Sequence, residues 1–134
     1  MEMKVLGINH INIVVTSEQF PGVVAFYEQI IGLTQGLRAV SRRNGAWMYC
    51  GDNAPIIHLS VVEEAPYTGN DTHFNHVALT CTDVDGCLNN LKRNNIPHNI
   101  DYRSPPEMTQ VFVYDPVGTK IELNFAGEKP SNHL

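Results

Sequence analysis

Basic residues are scarce in this chain: 9 lysines and arginines against 14 aspartates and glutamates leave a formal net charge of −5. A phosphate backbone is held by a positively charged surface, so DNA and RNA are excluded as partners. Cysteine is scarce as well. Cys50, Cys81 and Cys87 make an odd set without a CxxC pair, which excludes a disulfide framework and a thiolate zinc site and fits reduced thiols in strands and a helix. No stretch comes near the roughly 18 apolar residues that span a bilayer, and the opening Met1-Glu2-Met3-Lys4-Val5-Leu6 lacks the long apolar core of a signal peptide. A cytoplasmic protein with no membrane partner is expected. Charged residues at 17% beside hydrophobic ones at 43% describe an ordinary folded chain. Its 134 residues suit one domain, or two small modules that share a core.

What the chain does have is a doubling. Asn9-His10-Ile11-Asn12-Ile13-Val14-Val15 reads against Asn75-His76-Val77-Ala78-Leu79-Thr80-Cys81, and Ile56-Ile57-His58-Leu59 reads against Lys120-Ile121-Glu122-Leu123. His76 follows His10 by 66 residues and Glu122 follows His58 by 64. Four residues able to ligate a metal therefore fall at matching places in two halves.

Periodicity places them on strands. In the first half, residues 7–15 alternate Ile11, Ile13 and Val15 with His10, Asn12 and Val14, a strand with the histidine and asparagine on one face. Ser17 and Pro21 mark a helix start, the stripe Val23, Val24, Phe26, Tyr27, Ile30, Ile31 supplies its apolar side, and Gly32 ends it. Strands are expected over 34–42, 45–50 and 55–62, with Asn44-Gly45 and Gly51-Asp52-Asn53 as turns. In the second half the order repeats: a strand over 74–81, a capping box at Thr82-Asp83-Val84-Asp85, a helix over 84–94, and strands over 98–103, 109–114 and 119–125. Asp115-Pro116-Val117-Gly118 forms the tight turn before the last strand. Residues 66–72 link the halves.

Each half thus reads βαβββ. The expected fold is α+β: two tandem βαβββ modules, about 6–65 and 73–127, forming an open cup-shaped eight-stranded mixed sheet with the helices outside. His58 shares its face with Ile56 and Ser60, and Glu122 shares its face with Lys120 and Asn124, so all four candidate ligands land on the side away from the helices. His73 has the opposite strand parity to His76 and reads as a loop residue. His98 and His133 have no counterpart in the repeat. Four residues sharing strand face, repeat position and donor chemistry point to a divalent ion held by His10, His58, His76 and Glu122. Trp47 and Tyr49, and in the second half Gln110, Phe112 and Tyr114, form rows on the same faces and are candidates for substrate contact with Asn12. Arg38, Arg42, Arg43 and Arg103 are candidates for pairing with a carboxylate or phosphate.

The residues Ile8-Asn9-His10-Ile11-Asn12-Ile13, Phe26-Tyr27 with Gly32-Leu33, Phe74-Asn75-His76-Val77-Ala78 and Tyr114-Asp115-Pro116-Val117-Gly118-Thr119-Lys120-Ile121-Glu122-Leu123 closely resemble the vicinal oxygen chelate superfamily. Its members include glyoxalase I, methylmalonyl-CoA epimerase, extradiol dioxygenases, and the fosfomycin and bleomycin resistance proteins. The resemblance spans nearly the whole chain and implies paired βαβββ modules around a metal, with His10, His76 and Glu122 at the shared ligand positions. His58 stands where glyoxalase I has a glutamate and the epimerase a glutamine. A histidine there binds metal through a neutral nitrogen but cannot act as a carboxylate base, which leaves Glu122 as the one acidic ligand able to take a proton.

The reading is a metal-dependent glyoxalase I-like lyase or isomerase. Its small substrate would chelate a zinc, nickel, manganese, cobalt or iron ion through two neighbouring oxygens, in a protein expected to be a homodimer. Extradiol dioxygenases, thiol transferases of antibiotic resistance and metal-free binding proteins of the bleomycin-resistance kind are the alternatives. Departures from the family weigh on these: Val14 stands where the bacterial glyoxalase has an arginine for the glutathione carboxylate, and Asn12 stands where fosfomycin transferases have threonine. The segment Ser104-Pro105-Pro106-Glu107 also differs from the serine-rich potassium loop of those transferases.

Overall fold

Alternating apolar residues become two four-stranded sheets. The computed structural model describes residues 3, 6–64, 74 and 76–132, and contacts divide the chain into two units, Met1–Pro66 and Tyr67–Leu134. The linker over 66–72 and the histidines His73 and His133 lie outside the described residues. No described helix is long and apolar enough to cross a membrane.

Unit 1 contains β1 (Ile11–Thr16), α1 (Phe20–Gln29), β2 (Thr34–Gly36), β3 (Gly45–Cys50) and β4 (Ala54–Val62). Its sheet runs β1-β4-β3-β2, with β1 and β4 parallel and the other pairs antiparallel. Pairing of Ala46 with Leu59 and Met48 with Ile57 gathers one face of buried residues. Val23, Phe26 and Tyr27 of α1 are buried with them. Pro21 sits in the first turn of α1, where its missing N–H costs nothing, and Gly32 closes the exit at φ +85°. The opposite face carries Trp47 paired with His58, and Asn12 paired with His58 from the other side.

Unit 2 repeats the plan with β5 (Val77–Thr80), α2 (Val84–Arg93), β6 (Asn99–Arg103), β7 (Met108–Tyr114) and β8 (Lys120–Ala126), in sheet order β5-β8-β7-β6. Val111 opposite Leu123, and Val113 opposite Ile121, form its buried apolar face. Val84, Leu88 and Leu91 of α2 are buried. Phe112 opposite Glu122, and Gln110 opposite Asn124, occupy the other face. The α+β class and the tandem βαβββ order are as the residue pattern implies.

Three local expectations are corrected. Strand β2 ends at Gly36 instead of residue 42. Gly36 pairs with Trp47 in an antiparallel ladder, so each further step on β2 meets a residue one closer on β3, and Arg42 would have to pair with Ser41. The hairpin runs out of chain. Strands β1 and β5 start at Ile11 and Val77, so His10 and His76 each stand one residue ahead of a strand. The capping box at Thr82–Asp85 is replaced by a tertiary cap: Asp83 Oδ1 accepts from Gly86 N at 3.0 Å, while Glu128 receives the N–H groups of Asp83 and Val84 at 3.1 and 2.8 Å. Asp85 is drawn off to Ser131, whose backbone N–H it accepts at 3.0 Å. A carboxylate at a helix N-terminus satisfies the orphan donors wherever along the chain it comes from.

Candidate functional site

The four candidate ligands come as one pair per unit. In unit 1, His10 precedes β1 and His58 lies on β4, the strand beside it. Their rings are stacked, 3.7 Å between centroids and 11° between planes. On its other face His58 lies against Trp47, at 4.1 Å and 12°. The result is a three-ring stack, Trp47–His58–His10, built by the cross-strand pairing of Trp47 with His58.

Hydrogen bonds select which nitrogen each histidine presents. Asn9 Oδ1 lies 2.7 Å from His10 Nδ1, so a proton on Nδ1 leaves Nε2 as the lone-pair nitrogen. His58 is hydrogen-bonded to the Pro55 backbone, while its buried Nε2 has no hydrogen-bond partner. The Pro55 contact therefore falls to Nδ1. Both rings present Nε2, the arrangement in which ligating histidines are usually oriented by their second nitrogen. Parallel rings aim their lone pairs side by side, so convergence on one ion requires a turn of a side chain. His10, exposed and ahead of its strand, is the one free to make it.

Burial holds the His58 imidazole below its ordinary pKa of 6.5, assisted by the nearby charges of His10 and Arg38, against the Pro55 hydrogen bond. Folding therefore favours the neutral ring. Above pH 6.5 this contribution to stability is complete. As pH falls below that value the unfolded chain takes up a proton that the folded chain resists, and the contribution is lost. Unfolding of the metal-free protein followed in urea between pH 7.5 and 5 is expected to show a stability loss on acidification that is smaller in His58→Gln. Equal slopes for the two proteins would contradict the assignment.

In unit 2, Glu122 is 5% exposed on β8. One carboxylate oxygen, Oε1, faces His76 Nε2 at 3.3 Å, and the other accepts from Asn124 Nδ2 at 2.9 Å. The turn ahead of β8 sets this strand's start: Asp115 Oδ1 accepts from Val117 N and Thr119 N at 3.0 and 2.8 Å, and Gly118 takes φ +89°. Phe112 meets His76 edge-on at 6.2 Å and lies under the Lys120 ammonium at 4.9 Å.

The other sequence candidates separate by unit. Asn12 accepts from Ser60 Oγ at 2.9 Å, beside His58. Tyr49 reaches the edge of its sheet, where its hydroxyl donates to Leu37 O at 2.5 Å and its ring covers Gly36. Gln110 shares the Glu122 face through its pairing with Asn124, and Tyr114, 45% exposed, sits at the end of β7. Asn9 and Asn124, which hold His10 and Glu122, were absent from the sequence reading of the site. The signal was there for Asn124, which lies two residues from Glu122 on the same strand face.

Among the described residues no three His, Cys, Asp or Glu side chains come together as a metal-holding group; the four candidates stand as His10 beside His58 and His76 beside Glu122. Paired βαβββ units with candidate ligands at equivalent places in the repeat are the pattern of the vicinal oxygen chelate class. The profile described as Glyoxalase/Bleomycin resistance protein/Dioxygenase superfamily matches residues 7–123, and the chain belongs to that superfamily. No curated protein matches the sequence. Among solved structures, a protein described as of the glyoxalase family from Bacillus anthracis is 24% identical, with a TM-score of 0.74 over 94% of this chain and 99% of that one. The fosfomycin resistance protein FosX of Listeria monocytogenes is also similar. A mutant of it, complexed with Mn(II) and 1S,2S-dihydroxypropylphosphonic acid, is 17% identical with a TM-score of 0.69 over 92% of this chain and 94% of that one. An integron cassette protein from the mobile metagenome of the Halifax Harbour sewage outfall aligns at 15% identity and TM-score 0.65, over 90% and 99% of the two chains. These three likenesses speak to the fold.

Proposed function

We propose that this protein is a metal-dependent lyase or isomerase of the glyoxalase type, in which His10, His58, His76 and Glu122 serve one divalent ion and Glu122 is the base. The observation that carries the reading is the buried Glu122 carboxylate, one oxygen on His76 and the other on Asn124, in a chain whose remaining candidate ligands are all imidazoles. The lone-pair nitrogens of His10 and His58, the latter buried and without a partner, beside one carboxylate suit a divalent transition-metal ion: zinc, nickel, manganese, cobalt or iron. Such an ion, when bound, polarises neighbouring substrate oxygens as a Lewis acid.

The chain's own residues do the rest. Glu122, whose Oε2 accepts from Asn124 and whose Oε1 faces His76, would take a proton from a substrate carbon when its carboxylate loosens from the ion. His58, lacking a carboxylate, cannot share that role. Asn12, on the face of His58, and Gln110 and Phe112, on the face of Glu122, are proposed to contact the substrate with Trp47, Tyr49 and Tyr114. The assembly is proposed to be a homodimer.

A second reading, a metal-free binding protein, draws on the parallel stack of His10 on His58, which does not converge on an ion as it stands. One titration separates the two. Trp47 is the single tryptophan and lies flat on His58, so adding Mn(II) or Zn(II) to chelator-treated protein is expected to change its fluorescence, with a stoichiometry of about one ion per chain by calorimetry. An unresponsive tryptophan together with no heat of binding would leave the metal-free reading.

A further inference from the structure

Unit 2 has five lysines and arginines among its described residues, and the fold gives four of them local work. Lys92 and Arg93 lie in the last turn of α2, where cations complement the carbonyl end of the helix. Arg103 pairs with Asp101 at 2.9 Å, so its charge is already answered. Lys129 lies over the Tyr102 ring at 5.3 Å. Tyr102 pairs with Thr109, which pairs with Phe125, so that ring shares the apolar face of Phe125. Lys120 is left, and the chemistry proposed above does not use it.

Lys120 stands two residues ahead of Glu122 on β8, about 7 Å along the strand and on the same face. Its partner on β7 is Tyr114, and two steps along Phe112 is the partner of Glu122. The side chain follows the register. Nζ lies over the Phe112 ring, 4.9 Å from its centre, and the same ring meets His76 at 6.2 Å. His76 Nε2 is in turn 3.3 Å from Glu122 Oε1, so ammonium, ring, imidazole and carboxylate form one contiguous patch. Both Glu122 oxygens face other partners, His76 and Asn124, and among the described residues Lys120 forms no ion pair. It is nevertheless half-buried, where an unpaired lysine ordinarily carries its charge out into water. The ring face attracts the cation but leaves its N–H groups without an oxygen acceptor.

We propose that Lys120 sets the substrate's charge at this face: the substrate carries an oxyanion, a carboxylate or a phosphate, besides its two vicinal oxygens, and the Lys120 ammonium receives it. Phe112 holds the ammonium in place from below, and the short spacing to Glu122 suits a small anionic substrate. A neutral diol is discriminated against. The inference rests on the metal-dependent reading, since the vicinal oxygens need an ion to hold them.

Three probes that share a vicinal diol test it: glycerol, glycerate and glycerol 3-phosphate, titrated calorimetrically into Mn(II)-loaded wild type, Lys120→Met and Lys120→Arg, with Mn(II) affinity measured separately for each protein. Wild type is expected to bind at least one of the two anions roughly tenfold or more tighter than glycerol, and the stronger anion distinguishes carboxylate from phosphate. Lys120→Met keeps an apolar stem over Phe112 without the charge, and its preference is expected to fall roughly tenfold. Lys120→Arg, which keeps the charge, is expected to retain most of it. If the methionine variant does not fold, added salt serves on wild type, where it is expected to weaken anion binding and to leave glycerol binding unchanged. A preference that survives in Lys120→Met, falls equally in both variants, resists salt, or is never shown by wild type overturns the role of Lys120 and leaves the ligand set standing. A wild-type protein that binds no Mn(II) overturns the ligand set, and this inference with it.

Discussion

Glu122→Gln is expected to abolish turnover and to weaken divalent-metal binding by roughly a hundredfold or more, while the metal-free protein keeps its fold. Glutamine has nearly the volume of glutamate and can still accept from Asn124, whose amide lies 2.9 Å from Oε2. What it cannot do is supply a negative charge to an ion or take a proton. Loss of an oriented outer partner alone typically costs 10- to 100-fold in metal affinity, about the least to expect when a ligand itself is lost. Removal of a general base costs about 10²- to 10⁴-fold in rate. Calorimetric Mn(II) titration and far-UV circular dichroism on the same samples check the first claim. Unchanged metal affinity with the fold intact would remove Glu122 from the ligand set.

The opposite face of the same strand gives the largest expected loss of stability. Phe125 is 1% exposed, is paired with Thr109 of β7, and points with Ile121 and Leu123 into the apolar face of unit 2. Truncation in Phe125→Ala removes a buried ring and leaves a cavity, for which about 3–5 kcal/mol is typical. Tyr114→Ala, at a side chain 45% exposed, is expected to cost well under half of that. Urea unfolding of the two variants beside wild type measures the difference; comparable losses would mean that Phe125 is not part of the core. Strand β8 thus separates chemistry from stability by parity. Position 122 carries the proposed ligand, and positions 121, 123 and 125 are buried in the apolar face.

Much of the plan was legible because it depends on neighbours in sequence. Two-residue periodicity assigned Ile121, Leu123 and Phe125 to one face and Glu122 to the other, and the repeat placed His10 with His76 and His58 with Glu122. Pro21 and Gly32 bracketed α1 for local backbone reasons. Where strands actually begin was less legible. A pattern of alternating residues continues through 7–10 and 74–76, but a strand exists only where a partner is hydrogen-bonded, and pairing begins at Ile11 and Val77. The overlong β2 failed for a similar reason, since the limit came from the register of its hairpin.

The cap of α2 was illegible because its carboxylates include Glu128, 44 residues beyond Val84, whose N–H it accepts. No window along the sequence contains both partners. The arrangement of the candidate site is of this kind too. Sequence by itself determined the family, the βαβββ order, the four candidate ligands and the strand faces of the in-strand ones, because residue type and period carry that information. Only the tertiary structure decided that His58 is sandwiched between Trp47 and His10 with Nε2 unpartnered, and that Asn124 and His76 divide the two oxygens of Glu122. Those outcomes depend on side-chain torsions and cross-strand packing, which are set by contacts between residues distant in the chain.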